Sequence, residues 1–269
     1  MSEVRKDGIT IYEKADFAGM RTAGKLAAET LDYLVPFVKT GVSTAELDDL
    51  AREFIKKHNA IPACLGYRGY KHTICTSINH VICHGIPDYE RKLVDGDIMN
   101  IDVTVIVDGW FGDTSRMYYT GKPKVKATRL CEVTYDVLMR GIEAVKPGRR
   151  MGDIANVMGT YAESFGYSVV DMFCGHGLGR VFHDLPNVMH MGEKGTGALI
   201  EEGMFFTIEP MINVGKKEGI ILQDGWTSVT RDKSLSAQFE HSIGVTSDGC
   251  EIFTLSPGGF HKPPYKIGL

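Results

Sequence analysis

The 269-residue sequence has six cysteines (Cys64, Cys75, Cys83, Cys131, Cys174, Cys250) but no CxxC pair, which argues against a zinc finger or a thioredoxin-type site. In a chain of this length they read as reduced, mostly buried thiols of a cytoplasmic protein. No run of about 18 apolar residues occurs, so no transmembrane helix and no membrane partner is expected. The charged, mixed residues 1–16 do not resemble a signal peptide. The GxSxG elbow of serine hydrolases is missing. A GxGxxG dinucleotide fingerprint fails where Gly175-His176-Gly177-Leu178-Gly179 runs into Arg180. There is no excess of positive charge: the net charge of −4 argues against DNA or general nucleic-acid binding as the main function. What remains is an ordinary soluble globular composition, 43% hydrophobic and 24% charged, with ample length for a core.

Residues 94–116 carry the clearest chemistry. Asp95-Gly96-Asp97 signals a turn, and the β-branched run from Ile98 to Val107 predicts a strand. Asp108-Gly109 is a strong hairpin signal, with Trp110-Phe111-Gly112-Asp113 starting the return strand. Such a hairpin puts Asp102 and Asp113 on adjacent strands among apolar neighbours. Two carboxylates held there repel each other unless a cation lies between them. The same residues also fit a plainer reading, with Asp113 in a turn and Asp102 a capped exception.

Helical spacing of Met20, Leu26, Ala27, Leu31, Leu34 and Val35 predicts a helix from Phe17, ended or kinked at Pro36. Ser43 or Thr44 caps a second helix running to about His58, and Glu46 completes a capping box if Ser43 is the cap. A similar order then returns at an offset of 107. Val38-Lys39-Thr40-Gly41 matches Val145-Lys146-Pro147-Gly148, Leu31 matches Leu138, Gly96 matches Gly203, and Asp102 matches Glu209. One constant offset across helices and a strand implies a single domain, residues 1–269, built of two related halves, about 17–120 and 124–253. Packing about a pseudo-twofold would bring their acids together.

Three further segments hold candidate side chains. His176 lies between glycines that leave its imidazole unshielded; taken alone, it reads first as a structural or solvated histidine. Met204 to Met211 predicts a buried strand containing Glu209, its ladder ended by Pro210. Ser236 to Val245 predicts another strand, with Glu240 inside it and His241 on the opposite face. Four carboxylates and one imidazole are suitable donors for divalent Mn, Fe, Co or Zn, and shared carboxylates are typical of two-metal hydrolases.

CHGIPD (from Cys83), NIDVTV (from Asn100), DGWFGDTSRM, CGHGLGR, TIEPM and SLSAQFEHSIGVT together resemble the type I methionine aminopeptidases of bacteria, over residues 17–253. The resemblance implies an α/β (α+β) pita-bread fold, with two pseudo-symmetric halves around a central curved, mainly antiparallel sheet and helices on its outer face. It implies hydrolysis of the initiator methionine from nascent chains with a small second residue, through a hydroxide bridging two divalent metals. The ligands would be Asp102, Asp113, His176, Glu209 and Glu240, with Asp113 and Glu240 bridging. Glu209 would also pass on the proton, while His84 and His183 would hydrogen-bond the scissile amide and the oxyanion. The methionine pocket would draw on Cys64, Tyr67, Tyr70, Cys75, Phe182, Met211 and Trp226. Only 25 residues separate His183 from Glu209, leaving no room for the type II insertion. Xaa-Pro aminopeptidases and prolidases share such ligands but usually carry a further N-terminal domain.

The other histidines, His58, His72, His80, His190, His241 and His261, are expected to have no role in the site. Lys122, Lys124, Lys126 and Arg129 fit either a transient ribosome contact or a solvated loop. A monomer is expected, and the Pro/Gly-rich residues 256–269 are expected to form a loosely packed surface strap.

Overall fold

The computed structural model describes residues 2–266. Four helices carry the two halves: α1 (Phe17–Leu34) and α2 (Thr44–Lys57), then α3 (Val125–Glu143) and α4 (Met151–Ser164). α1 buries Met20, Ala27, Leu31 and Leu34 on one stripe and gives way at Pro36 to a short 3-10 turn. α2 begins with a complete capping box. The Glu46 amide donates to Ser43 Oγ at 3.2 Å, and the Ser43 amide donates to the Glu46 carboxylate at 2.7 Å. Adding 107 to the limits of α2 gives 151–164, the limits of α4. Each helix pair covers its own apolar core. Leu31, Leu47, Ile55, Ile101 and Val103 fill the first; Leu138, Ile154, Met158, Phe206 and Ile243 fill the second.

Strands Ile98–Val107 and Trp110–Tyr119 form the long hairpin of the first half. Asp108 and Gly109 turn it at φ 49° and 77°, the left-handed values a two-residue type I′ turn requires. The register sets Asp102 opposite Ser115 and Thr104 opposite Asp113, so the two acids are diagonal neighbours on one face.

In the second half Phe205–Ile208 pairs with His241–Val245, and Met211–Asn213 pairs with Ser236–Gln238, but the two pairs belong to different sheets. The expected continuous strand through Glu240 is therefore corrected: it breaks at Phe239–Glu240, as its partner breaks at Glu209–Pro210. The reason is visible in the bonding. At the break Glu240 turns to the first half, where its amide donates to the Ser115 carbonyl at 3.1 Å. Thr114 Oγ1 donates to the Glu240 carbonyl at 2.7 Å, and Ser242 Oγ to the Asp113 carbonyl at 2.6 Å. These bonds stitch the two halves together beside both acids.

The strap expectation also needs correction. Ser256 Oγ donates to both oxygens of Asp32, at 2.8 and 2.9 Å, and Tyr265 donates to the Met117 carbonyl at 2.7 Å. Phe260 and Tyr265 pack on the first core, so residues 256–266 are anchored. The rest of the predicted strap, 267–269, lies outside the described residues.

Candidate metal centre

Where the halves meet there is a cavity of about 400 Å³, and every candidate site residue named from the sequence lines it. One wall is acidic. His176 Nε2 lies 3.5 Å from Asp113 Oδ2 and 3.7 Å from Glu209 Oε1. Donor atoms of Asp113, His176 and Glu240 lie within 4.8 Å of one another. The His176 Nδ1 is 3.0 Å from the Gly177 carbonyl, which holds a proton there and turns Nε2 toward the acids.

The strand breaks explain how the acids converge. The register pairs Ile208 with His241 and Met211 with Gln238, so its continuation across the gap sets Glu209 opposite Glu240. Directly opposed like charges destabilise a sheet. Burial first, then the neighbouring carboxylates, holds Asp102 and Glu240 well above the usual carboxylate range. Burial likewise pushes Glu209 up to about 7. Burial opposes charge on His176, but its hydrogen bond to Asp113 and the charge of Glu209 outweigh that and raise it to about 9. The donor set fits divalent cations, which would relieve the repulsion that now favours protons.

Polar neighbours hold the acids in place. Thr104 Oγ1 donates to Asp113 Oδ1 at 2.8 Å, and Thr207 Oγ1 to Glu209 Oε1 at 2.8 Å. Gln238 Nε2 donates to Glu209 Oε2 at 3.3 Å. The sequence reading missed these three. Thr104 and Thr207 each sit two residues from an acid (Asp102 and Glu209), and strand period could have flagged them, whereas Gln238 lies 29 residues from the acid it holds.

His190, given no site role from the sequence, has a structural contact with the site. That residue is buried, 1% exposed, and its Nε2 accepts the Glu209 amide proton at 3.2 Å. The amide needs such a partner because the ladder has ended at Ile208 and Pro210 has no N–H to resume it. Burial pushes His190 down to about 3, so it stays neutral and able to accept.

The rest of the lining is largely apolar and aromatic. Tyr70 meets Trp226 edge-to-face at 4.9 Å and donates to the Ile74 carbonyl at 3.0 Å. Phe182 and Met211 also line the cavity, while Cys75 lies opposite Asp102 in the ladder and Cys64 Sγ is 3.7 Å from Thr104 Oγ1, beside the acids. His84 and His183 flank the acids. The His84 ring meets Phe173 at 5.2 Å, and burial lowers its pKa. His183, one face open to solvent, lies 4.2 Å from the His176 ring; desolvation first, then His176, pushes it down to about 4.

A profile of metallopeptidase family M24 matches residues 18–247. The methionine aminopeptidase of Rickettsia prowazekii is 59% identical over 258 residues, covering 96% of this chain and 99% of that one. The chain belongs to the methionine aminopeptidases of metallopeptidase family M24. The crystal structure of a Rickettsia prowazekii methionine aminopeptidase superposes with a TM-score of 0.91 at 60% identity, covering 92% of this chain and 100% of the other. That of Thermotoga maritima gives 0.90 at 36% identity, covering 91% and 99%. The fold is the pita-bread α/β fold of that family, its ladders antiparallel. Membership makes the chain a metal-dependent aminopeptidase with a divalent metal cofactor.

Proposed function

We propose that the enzyme hydrolyses the N-terminal methionine from nascent chains and peptides with a small second residue. Two divalent cations would be held by Asp102, Asp113, His176, Glu209 and Glu240, with Asp113 and Glu240 shared. The observation that carries this reading is the single cavity lined both by five ligand-type side chains and by aromatic, apolar and thiol side chains. When bound, the cations supply Lewis acidity and an acidified water.

The chain's own groups do the rest. Glu209, oriented by Thr207 and Gln238, takes the proton released by the attacking water and passes it to the leaving amine. His84 and His183, neutral at neutral pH, donate N–H bonds to the scissile amide and the developing oxyanion. The methionine side chain is gripped by Tyr70, Trp226, Phe182 and Met211, with Tyr67, Cys64 and Cys75 around them, through apolar burial and sulfur–aromatic contact. We read the whole chain as one catalytic domain of two related halves, acting as a cytoplasmic monomer. No helix among the described residues is long and apolar enough to cross a membrane.

The basic cluster is exposed at the start of α3. Lys124 and Lys126 there oppose the helix dipole, so they do not serve the helix. Exposed lysines there fit a solvated surface first; the alternative proposal is a transient contact with ribosomal RNA.

The test is release of amino acid from a tripeptide panel by chelated enzyme reloaded with single metals. Met-Gly-, Met-Ala- and Met-Ser- peptides should be cut in a metal-dependent way. Met-Lys- and Met-Leu- peptides should be spared, and norleucine in place of methionine accepted within roughly tenfold. Efficient cleavage of Xaa-Pro peptides lacking methionine would overturn the assignment.

A further inference from the structure

Resting on the proposed activity, we propose that Arg68 selects substrates carrying a carboxylate downstream of the scissile bond. Arg68 lines the cavity, and it is the sole Lys or Arg among the described residues that do so. Its side chain is exposed, which puts it at the opening rather than among the acids. The guanidinium lies 5.3 Å over the Tyr67 ring, and that ring in turn stacks on His183 at 5.2 Å. Charge therefore stands one ring away from the side chain assigned to the reacting amide.

The backbone holds it there by a tight turn. The Gly66 amide donates to the Tyr70 carbonyl at 2.7 Å, and the Tyr70 amide to the Tyr67 carbonyl at 2.9 Å. Arg68 itself adopts a left-handed φ of 47° between Gly66 and Gly69, a conformation unfavourable for a long side chain. No ion pair joins Arg68 to a carboxylate among the described residues, although acids line the same cavity deeper in. A substrate with its amine at the acids and its side chain among the aromatics must run out past exposed lining residues, and Arg68 is the cation among them. The rest of the peptide then passes a fixed, unpaired cation. A carboxylate there comes either from an acidic residue or from the C-terminus of a short peptide.

The experiment compares kcat/KM for Met-Ala-Ser amide, Met-Ala-Asp amide, Met-Ala-Lys amide and the free acid Met-Ala-Ser. Wild type, Arg68→Lys and Arg68→Asn are assayed, all loaded with Mn²⁺ at low ionic strength; Asn suits the left-handed backbone, so folding is not threatened. Wild type should favour at least one of the carboxylate-bearing peptides over the neutral amide by roughly twofold to fivefold, the scale of an exposed charge pair, and disfavour the Lys peptide. Arg68→Lys should keep the preference, Arg68→Asn should bring the ratios to about one, and 0.5 M salt should do the same to wild type. A gain confined to the free acid assigns the contact to the C-terminus; a gain with the Asp amide assigns it to an acidic residue. Equal ratios in wild type and Arg68→Asn would overturn the inference. Failure of wild type to cut even the neutral amide would instead overturn the proposed activity.

Discussion

His190→Leu tests whether the acids are held by more than their own strands. Leucine nearly fills the space but accepts no hydrogen bond, so the Glu209 amide at the end of Phe205–Ile208 loses its partner. An orphaned buried amide costs about 1–3 kcal/mol. Without metal, the freed Glu209–Pro210 corner can relax toward the cavity and water. Metal binding must draw it back, so the cost falls on metal affinity rather than on folding alone. At about 1.4 kcal/mol per decade the predicted loss is roughly 5- to 150-fold, the range found when an outer partner of a metal ligand is removed.

His190→Gln supplies an amide oxygen near the Nε2 position and should recover most of that loss. Because the histidine stays neutral down to about pH 3, the rescue should be the same at pH 6 and pH 8. The measurements are Mn²⁺ titration of chelator-stripped protein by calorimetry and kcat on Met-Ala-Ser. Wild-type metal affinity in His190→Leu would refute the argument, and so would equal losses in the Leu and Gln variants.

Asp113→Asn should abolish metal binding and activity together, since Asp113 lies 3.5 Å from His176 and within 4.8 Å of Glu240; retained activity with metal bound would sink the ligand assignment. His84→Ala and His183→Ala should bind metal normally yet lose on the order of 10²-fold in kcat, as expected for donors to a transition state; metal loss in either, read by the same titration, would make it a ligand. Metal-stripped protein should lose thermal stability as pH rises from 6.5 to 8.5. His176, raised from 6.5 when unfolded to about 9 when folded, supplies most of this loss, since its contribution is complete below 6.5 and fades through 9. Glu209, raised from 4.5 to about 7, acts in the same direction, but its loss runs between those values and only its end falls in this window. The lowered histidines, His183, His190 and His241, act below that window, where acid destabilises them. Saturating Mn²⁺ should flatten the profile, and a stripped-protein Tm that rises over this window would contradict the charge arrangement.

Much of this was legible in the sequence because the signals are local. Asp108-Gly109 specifies its own turn, Ser43 and Glu46 cap a helix three residues apart, and alternation along Ile98–Val107 puts Asp102 and Thr104 on one face. The histidine bonded to Glu209 lies 19 residues away, and the glutamine bonded to it lies 29 away; no local pattern ties either to the acid. The anchored tail is similar, since Ser256 meets Asp32 across 224 residues. Residues 256–266 look like a loose strap only until their partners are known.

The strand breaks were the hardest feature to read, and the site depends on them. Apolar runs around Glu209 and Glu240 promise continuous strands, and Pro210 alone hints otherwise. A continuous ladder in this register would face the two glutamates directly, while the Asp102–Asp113 hairpin stayed in its own half. Breaking both strands at the same pair lets Glu240 bond to Ser115 across the halves and brings its carboxylate beside Asp113 and His176. The acids converge because each ladder fails where it would have set like charges face to face, which is why a cation fits there.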